Sequence, residues 1–465
     1  MNSSTVFTAM LPEHLLLLGM VVLIVIEIAG RGQRAALAVA LAAVAAAAAV
    51  AAGLSISGYT AAPFAGHFSV DPATLMAKAI VLALALPVLL MSRDDFSGVE
   101  FPILLLSSLY GACLMQSADS FLTLFLGLEI LSLPVYVLVL LAYRRPQSAE
   151  AALKYLVLGG TASAMLLMGV SLLYGSTGTM GIINFSAALG SADAMARAAV
   201  VLVLLAFFLK GAIVPFHAWA PDAYEAASVP VTAYMAVIVK AAVLLAVVRL
   251  FGQATLASPM LELVAVLPLL SIVWGNLAAM RQASLRRMIA YSSIAHAGYL
   301  FYALLGAPAG RLQAVSFYLL AYGLLNLLVF AALPPAADDS QRDRLDHLKG
   351  LFHRSPFAAL MIGIAMLSLA GIPPFPGFVA KFLIFKNVIA AGHVGYAVLG
   401  LVGSYLGIYF YLRVIQFMFM SVDAPAVDGG SPTTAARRLA VVASVACLLA
   451  MLGVSVFPGW VIAGL

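Results

Sequence analysis

Long apolar runs separated by short polar loops dominate the chain, and this pattern predicts an all-α integral membrane protein. A helix needs about 20 apolar residues to cross the hydrocarbon core of a bilayer. The run at 356–390 is too long for one span and is interrupted from Gly371 to Pro374, so we expect two half-helices there. In total the runs predict about fourteen spans, near 11–30, 35–54, 73–91, 101–118, 119–142, 150–174, 196–219, 228–250, 258–280, 288–307, 312–334, 356–390, 394–420 and 436–457.

The spans also predict an internal repeat. The segment GAIVPFHAW from Gly211 resembles GIPPFPGF from Gly371, and each interrupts a span. The two interrupted spans lie five apart, so they cross the membrane in opposite directions, as in transporters with inverted repeats. We therefore expect a three-helix segment at 1–100, a first five-helix repeat at 101–251 (spans 4–8), a second at 258–421 (spans 9–13) and a final helix at 436–465. Helix breaks are expected near Pro215 and Pro373.

The basic residues of the loops predict the orientation. With the N-terminus outside, three arginines lie on the outer side: Arg197, Arg311 and, at a helix end, Arg249. Cytoplasmic loops tend to carry an excess of lysine and arginine. Both termini are therefore predicted on the non-cytoplasmic side. The cytoplasmic loops would then hold Arg31, Arg34, Arg93, Arg144, Arg145, Arg281, Arg286, Arg287, Arg342, Arg344, Lys349, Arg354, Arg437 and Arg438.

Composition narrows the classes of function. Of 465 residues, 64% are hydrophobic and 9% charged, which does not fit a soluble globular chain. The two cysteines, Cys113 and Cys447, lie far apart in apolar runs, which excludes a disulfide framework and a Cys-ligated cluster. The basic residues lie in short loops, so the net charge of +5 does not indicate nucleic-acid binding. The sequence has no GxGxxG motif after a predicted strand, no Walker loop and no cluster of His, Cys or carboxylates with the spacing of metal ligands. We therefore expect this chain to bind no nucleotide, flavin or metal.

Ionisable residues inside the spans are the main candidates for functional residues. A charge at the bilayer centre costs about 2.5–3.5 kcal/mol even on lenient scales, so retained charges usually have a function. Glu129 lies about mid-span, and we expect it to pair with Lys210, which precedes the first helix break. Such a pair is either a proton switch, because each charge stabilises the other, or a static link between helices.

Further lysines extend this pattern. Lys240 lies mid-span, Lys381 follows the second break by seven residues, and Lys154 lies close to the cytoplasmic end of span 6, where it either serves the relay or snorkels. We expect Lys78 and Lys386, near the outer ends of their spans, to snorkel. Hydrated lysines of this kind, which unlike arginine can release protons, are what a proton relay requires.

Histidines and aromatic residues are secondary candidates. His217, after the first break, and His296, in span 10, are able to pass protons near neutral pH, although a lone histidine is equally often a packed core residue. Tyr318, Tyr322 and Asn326 share one helical face, and we expect that stripe to reflect aromatic packing rather than a hydrated path.

The chain resembles the antiporter-like membrane subunits of respiratory complex I, the NADH-quinone oxidoreductase, over essentially its whole length. The similarity is carried by FLGLEILSLPVY at 125–136, LKGAIVPFHAWAPDAY at 209–224, RRMIAYSSIAHAGYL at 286–300 and LSLAGIPPFPGFVAKF at 367–382. Among these subunits the N type fits best. Lys381 stands where the M type has glutamate, the chain ends without the long lateral helix of the L type, and SLP follows Glu129.

This resemblance implies a proton-translocating subunit without redox chemistry of its own. Glu129 and Lys210 would form the family's charge pair, Lys240 the central relay and Lys381 the terminal lysine. Lys154 would lie on the input side, and His217 and His296 also match family positions. Flavin and iron–sulfur clusters would belong to partner subunits, the neighbours would be similar antiporter-like subunits, and the location would be the bacterial inner membrane. The alternative is a multisubunit cation/proton antiporter or a stand-alone secondary transporter.

Overall fold

Helices that match the predicted spans make up most of the protein. The computed structural model describes residues 3–96, 98–142, 146–191, 193–252, 254, 256, 260–334, 344–420 and 434–464. Three of the predicted cytoplasmic loop cations, Arg144, Arg145 and Arg342, lie outside these residues. We number the helices by span: α1 (Leu11–Ile28), α2 (Gln33–Ile56), α3 (Pro72–Met91), α4 (Glu100–Gln116), α5 (Phe121–Leu140), α6 (Gln147–Thr177), α7a (Ala194–Lys210), α7b (Trp219–Ala226), α8 (Val229–Phe251), α9 (Met260–Ala279), α10 (Leu285–Leu305), α11 (Pro308–Ala332), α12a (Pro356–Ala370), α12b (Pro376–Ala390), α13 (Val394–Phe419) and α14 (Thr434–Val456).

The predicted membrane fold is confirmed. Among the described residues, eleven helices are long and apolar enough to cross a membrane. The remaining predicted spans are α4, which has 17 residues, and the two interrupted spans α7 and α12. Short helices at Ser3–Ala9, Ile183–Ala188, Leu345–Leu348, Leu351–Arg354 and Pro458–Gly464 lie in the loops and at the ends.

One small feature departs from the all-α prediction. Between α2 and α3 the strands β1 (Ala61–Phe64) and β2 (Phe68–Val70) form an antiparallel hairpin, with Phe64 opposite Phe68. Gly66 in its turn has a φ of +75°, a conformation that glycine adopts without steric cost. The hairpin packs Phe68 and Val70 against Ala9 and lies beside the start of α3.

Helix breaks occur at both predicted positions. Proline cannot donate the backbone hydrogen bond that continues a helix, and α7a and α12a both end shortly before such residues. Gly371 ends α12a with a φ of +87°. Beyond the break, Gly377 lies so close to α12a that an added Cβ would lie 1.9 Å from the carbonyl oxygen of Ser368. The two halves of α12 therefore pack tightly across the break.

Three helices form the interior of the bundle. All residues in the apolar segment of α8 are buried, and 94% of those in α10 and α11 are buried. In α1, α2, α6, α13 and α14, fewer than half of the residues of the apolar segment are buried. α4 packs with α5, and α9 packs with α10, so both predicted repeats begin with a helix pair and have a broken fourth helix. The inverted relation between the repeats and their boundaries stay predictions.

Lys78 does not snorkel, so that prediction is wrong. Its side chain, in α3, is fully buried, and its Nζ lies 2.6 Å from Oε1 of Glu13, which is also fully buried, in α1. The ammonium also lies 4.9 Å from the centre of the Phe68 ring. A buried carboxylate close to Lys78 offsets part of the cost of desolvating its charge, and Phe68 of the hairpin closes the site from the loop side. Lys386 is exposed, as expected.

Candidate proton-relay site

The predicted partners Glu129 and Lys210 lie together. Lys210 Nζ is 3.6 Å from Glu129 Oε1 and donates hydrogen bonds of 3.2 Å to Ser132 Oγ and to the Tyr136 hydroxyl. Glu129 is also in contact with Ser163 Oγ of α6. The lysine side chain is 5% exposed and the carboxylate 21%. The ammonium is thus held mainly by neutral hydroxyls, and the carboxylate is close without making a tight contact.

The break in α7 fixes the position of Lys210. Lys210 is the last residue of α7a, and Trp219, the first residue of α7b, donates from its indole Nε1 to the carbonyl oxygen of Leu209 at 2.9 Å. The same carbonyl also accepts a 3.2 Å hydrogen bond from the Ala212 N–H, so the indole adds a second bond that ties α7b to the end of α7a. On the opposite side Gly159 makes room for the Tyr136 hydroxyl, which would lie 2.0 Å from a Cβ at that position.

Three aromatic rings form a stack that runs from Tyr136, beside this pair, to α6 and α7b. Tyr136 packs edge-on against Tyr155, with ring centres 4.5 Å apart, and Tyr155 stacks on Trp219 at 4.2 Å. All three rings are buried. Close-packed rings leave no space for water between them, so this stack is a dry contact that joins the Lys210 surroundings to α7b.

Lys154 lies outside this aromatic stack in an open charged cavity. The cavity has a volume of about 340 Å³ and is lined by residues of α6, α7b and the start of α10. Lys154 Nζ lies 2.7 Å from Glu150 Oε1 and 2.8 Å from Asp222 Oδ2. Asp222 Oδ1 is 2.9 Å from Arg287, which also contacts Glu225 at 2.8 Å. Lys154 is therefore an exposed, paired side chain on the predicted cytoplasmic side, separate from the buried lysines.

Lys240 lies at the centre of the bundle. A π-helical stretch, Met235–Val239, immediately precedes it in α8, and such local irregularities are frequent at functional sites. Its Nζ donates to both the hydroxyl and the carbonyl oxygen of Ser293 in α10. Tyr224 of α7b lies 3.4 Å from the same Ser293 hydroxyl. α7b therefore contacts the surroundings of both Lys210, through Trp219, and Lys240.

Lys381 is held by the second helix break. Its Nζ donates to the carbonyl oxygens of Leu369, at 3.2 Å, and Ala370, at 3.1 Å, at the end of α12a. The partial negative charge of a helix C-terminus favours a cation at this place. The ammonium also lies 5.3 Å from the centre of the Tyr299 ring. Lys210 thus precedes the break in α7 and Lys381 follows the break in α12, but both ammonium groups lie beside a helix break.

His296 is close enough to both Lys381 and Lys240 for their charges to act on its imidazole. Its Nδ1 is 2.7 Å from the Tyr318 hydroxyl and its Nε2 is 3.0 Å from the hydroxyl of Tyr411 in α13. The expectation that the stripe containing Tyr318 serves packing alone is too narrow, because its hydroxyl bonds the histidine. Sequence reasoning missed Tyr411: a tyrosine within an apolar span gives no signal until its neighbour across the bundle is known.

His217 lies apart from these residues. Its Nε2 accepts a 3.0 Å hydrogen bond from Nε1 of Trp274 in α9, and Trp274 is 51% exposed on the outside of the bundle. The half-buried imidazole thus faces the periphery at the α7 break. A role for His217 in proton transfer stays a prediction.

The arrangement of the buried lysines suits the transfer of protons. Within the described ranges, no group of three or more His, Cys, Asp or Glu side chains is placed to hold a metal ion. Lys210, Lys240 and Lys381 are buried beside hydroxyls and helix-end carbonyls. Each ammonium therefore has hydrogen-bond acceptors within reach.

Comparison with known proteins identifies the family. The family described as NADH:quinone oxidoreductase/Mrp antiporter, TM, matches residues 118–407. The chain is 40% identical over 419 residues to NADH-quinone oxidoreductase subunit N of Pelobacter propionicus, covering 90% of each chain. It is 36% identical over 406 residues to subunit N of Geobacter metallireducens, covering 86% of this chain and 84% of that one. The chain belongs to the subunit N family of NADH-quinone oxidoreductase.

Solved structures agree with this assignment. A chain of respiratory complex I from Thermus thermophilus superimposes with a TM-score of 0.83 at 35% identity, covering 97% of this chain and 98% of that chain. A chain of the Mrp complex from a Dietzia species superimposes with a TM-score of 0.82 at 23% identity, covering 98% of this chain and 96% of that chain. At this identity the similarity shows the fold alone. The N-type prediction is confirmed, and so is its function as a proton-translocating, antiporter-like subunit of NADH-quinone oxidoreductase.

Proposed function

We propose that this subunit N family member moves protons along a buried file in which Lys210, Lys240 and Lys381 each hold a proton in turn. The observation that carries the proposal is the Glu129–Lys210 pair at the α7 break, whose charged atoms lie 3.6 Å apart, with the lysine buried and the carboxylate partly exposed. Lys154 and Asp222 supply protons from the charged cavity. His296 is close to both of the last two lysines and assists their exchange.

The pair acts as the switch. With Glu129 close, the Lys210 charge is stabilised and the proton stays on the amine. When Glu129 withdraws, that stabilisation is lost and the proton passes toward Lys240. α7b provides the connection, since Trp219 holds the carbonyl of Leu209 and Tyr224 reaches the Ser293 hydroxyl that binds Lys240. Movement of this half-helix therefore acts on both lysines at once.

Redox chemistry belongs to other subunits in this proposal. Flavin and iron–sulfur clusters lie in partner chains, and similar antiporter-like subunits flank this one in the bacterial inner membrane, with both termini periplasmic. Relatives named as subunits of one oxidoreductase, and a matching chain within a whole complex I, support this placement. We do not favour independent cation/proton antiport, because the similarity to the Mrp chain is at the level of fold.

Neutral substitutions within the reconstituted complex test the proposal. Lys240→Met and Lys381→Met remove the proton carrier while keeping an unbranched apolar stem. We expect NADH-driven acidification of proteoliposomes to fall at least about tenfold, since a positioned acid–base group commonly contributes 10²–10⁴-fold. NADH oxidation by ferricyanide should be unchanged. Lys386→Met, an exposed lysine of the same α12b helix, is the matched control.

Two results would contradict the proposal. Normal pumping by both Lys240→Met and Lys381→Met would remove these lysines from the path. Sodium or potassium exchange by the isolated chain in liposomes, at rates abolished by the same substitutions, would instead establish the antiporter alternative.

A further inference from the structure

Four buried polar side chains form a continuous hydrogen-bonded chain between α10, α11 and α13. Ser292 Oγ lies 2.5 Å from the Tyr411 hydroxyl, that hydroxyl lies 3.0 Å from His296 Nε2, and His296 Nδ1 lies 2.7 Å from the Tyr318 hydroxyl. All four residues are at most 4% exposed. Both nitrogens of the imidazole are therefore engaged, each by a different tyrosine.

Every member of this chain can both donate and accept a hydrogen bond. A hydroxyl has one hydrogen and two lone pairs, and a neutral imidazole has one donor and one acceptor nitrogen. If Tyr318 donates to Nδ1, then Nε2 donates to Tyr411 and Tyr411 donates to Ser292. The opposite order satisfies the same contacts equally well. The geometry thus permits two polarities of a single chain.

One end of the chain is one residue from the serine that binds Lys240, and the other end is one aromatic ring away from Lys381. Ser292 is adjacent in sequence to Ser293, whose hydroxyl and carbonyl accept hydrogen bonds from Lys240. At the other end, the Tyr318 ring lies 6.5 Å from the Tyr299 ring, and the Lys381 ammonium lies 5.3 Å from that second ring. Tyr411, which comes from the outer helix α13, is the link that joins Ser292 to His296.

We propose that Tyr411 is a proton-relay residue that carries protons between Ser292 and His296 on the way from Lys240 to Lys381. The inference rests on the proposed function and adds the path between its last two lysines. In this proposal, water molecules carry the proton across the remaining gap at either end of the chain.

The transfer balances without any other reactant. Ser292 Oγ takes up a proton and passes its own hydrogen to the Tyr411 oxygen. The Tyr411 O–H bond breaks as Nε2–H forms, the Nδ1–H bond breaks as a Tyr318 O–H bond forms, and Tyr318 releases its original hydrogen. One proton has crossed, no charge remains, and the chain has the opposite polarity. The hydroxyls and the imidazole must reorient before the next transfer, so the chain passes one proton in each cycle.

A structural role is the competing explanation, since the same bonds tie α13 to α10. Tyr411→Phe separates the two because it removes only the hydroxyl and keeps the ring in its packed site. Tyr409→Phe, two residues away on α13 and 61% exposed, is the matched control. Both variants are made in the whole complex and reconstituted into proteoliposomes.

We expect Tyr411→Phe to lower NADH-driven proton pumping by about tenfold, below the usual range for an acid–base group because water replaces part of the path. The solvent isotope effect on quinone-coupled turnover should rise, because a proton transfer becomes rate-limiting. Ferricyanide reduction and the unfolding temperature of the complex should stay close to those of Tyr409→Phe. Tyr318→Phe, which cuts the chain at its other end, should raise the isotope effect in the same way.

Two outcomes would overturn the inference. Pumping by Tyr411→Phe at the native rate would exclude the residue from the path. Slower pumping with an unchanged isotope effect and a lower unfolding temperature would assign it a purely structural role. Failure of the proposed function looks different, because Lys240→Met and Lys381→Met would then pump normally whatever Tyr411→Phe does.

Discussion

Replacing Lys210 with arginine separates a proton relay from a static ion pair. At the 3.6 Å distance of this pair, Coulomb attraction amounts to about 4–5 kcal/mol with an effective dielectric constant near 20. Arginine keeps that attraction, and its planar guanidinium binds carboxylates well, but it does not release its proton in proteins. A pair that only joins helices should therefore tolerate the change, whereas a relay should not.

The assay compares three variants of the reconstituted complex. We expect Lys210→Arg to lower NADH-driven proton pumping at least about tenfold, although the charge pair is retained. Lys210→Met, which lacks the charge, should be as inactive, and Lys386→Arg, at an exposed lysine, should be unaffected. NADH oxidation by ferricyanide measures assembly. Native pumping by Lys210→Arg together with loss in Lys210→Met would refute the relay and establish the static pair.

Two further predictions concern contacts described above. Gly159→Ala should slow pumping, because the new Cβ would lie 2.0 Å from the Tyr136 hydroxyl that binds Lys210. Gly160→Ala is the control, since a Cβ there would have no atom within 4 Å. Equal pumping rates in the two variants would contradict the prediction. Glu13→Leu should destabilise the purified subunit by about 3–5 kcal/mol, because it leaves the Lys78 charge buried and unpaired. The double variant with Lys78→Met should recover most of that loss, as measured by the unfolding temperature of the protein in detergent. A double variant as unstable as the single one would show that the unpaired Lys78 charge is not the cause.

The course of the chain through the membrane was largely predictable, for physical reasons. Backbone groups in hydrocarbon must bond within their own segment, so each long apolar run becomes a helix, and Pro215 and Pro373 mark where two of them break. The hairpin at 61–70 was missed because its strands are very short and one contains Pro63.

Site residues were predicted where a charge buried in the membrane is costly, and they were missed where the residue is uncharged or lies near a span end. Glu129 and Lys210 stand out in apolar surroundings, and they do meet. Glu13 stands near the start of its span, a place that also suits an exposed carboxylate, so its pairing with Lys78 was not apparent. Tyr411 carries no charge at all. Its importance depends on which face of α13 meets α10, and a single sequence does not contain that information.

The π-helical stretch before Lys240 has a mechanical consequence. A π turn accommodates one residue more than an α turn, and one residue corresponds to about 100° of rotation about the helix axis. If the extra residue migrated past Lys240 toward the C-terminal end of α8, the side chain would swing by about that angle and leave Ser293. The Lys240 amine would then face a different neighbour while both ends of α8 stayed in place. A local change in the backbone would thus switch the lysine between two sets of partners.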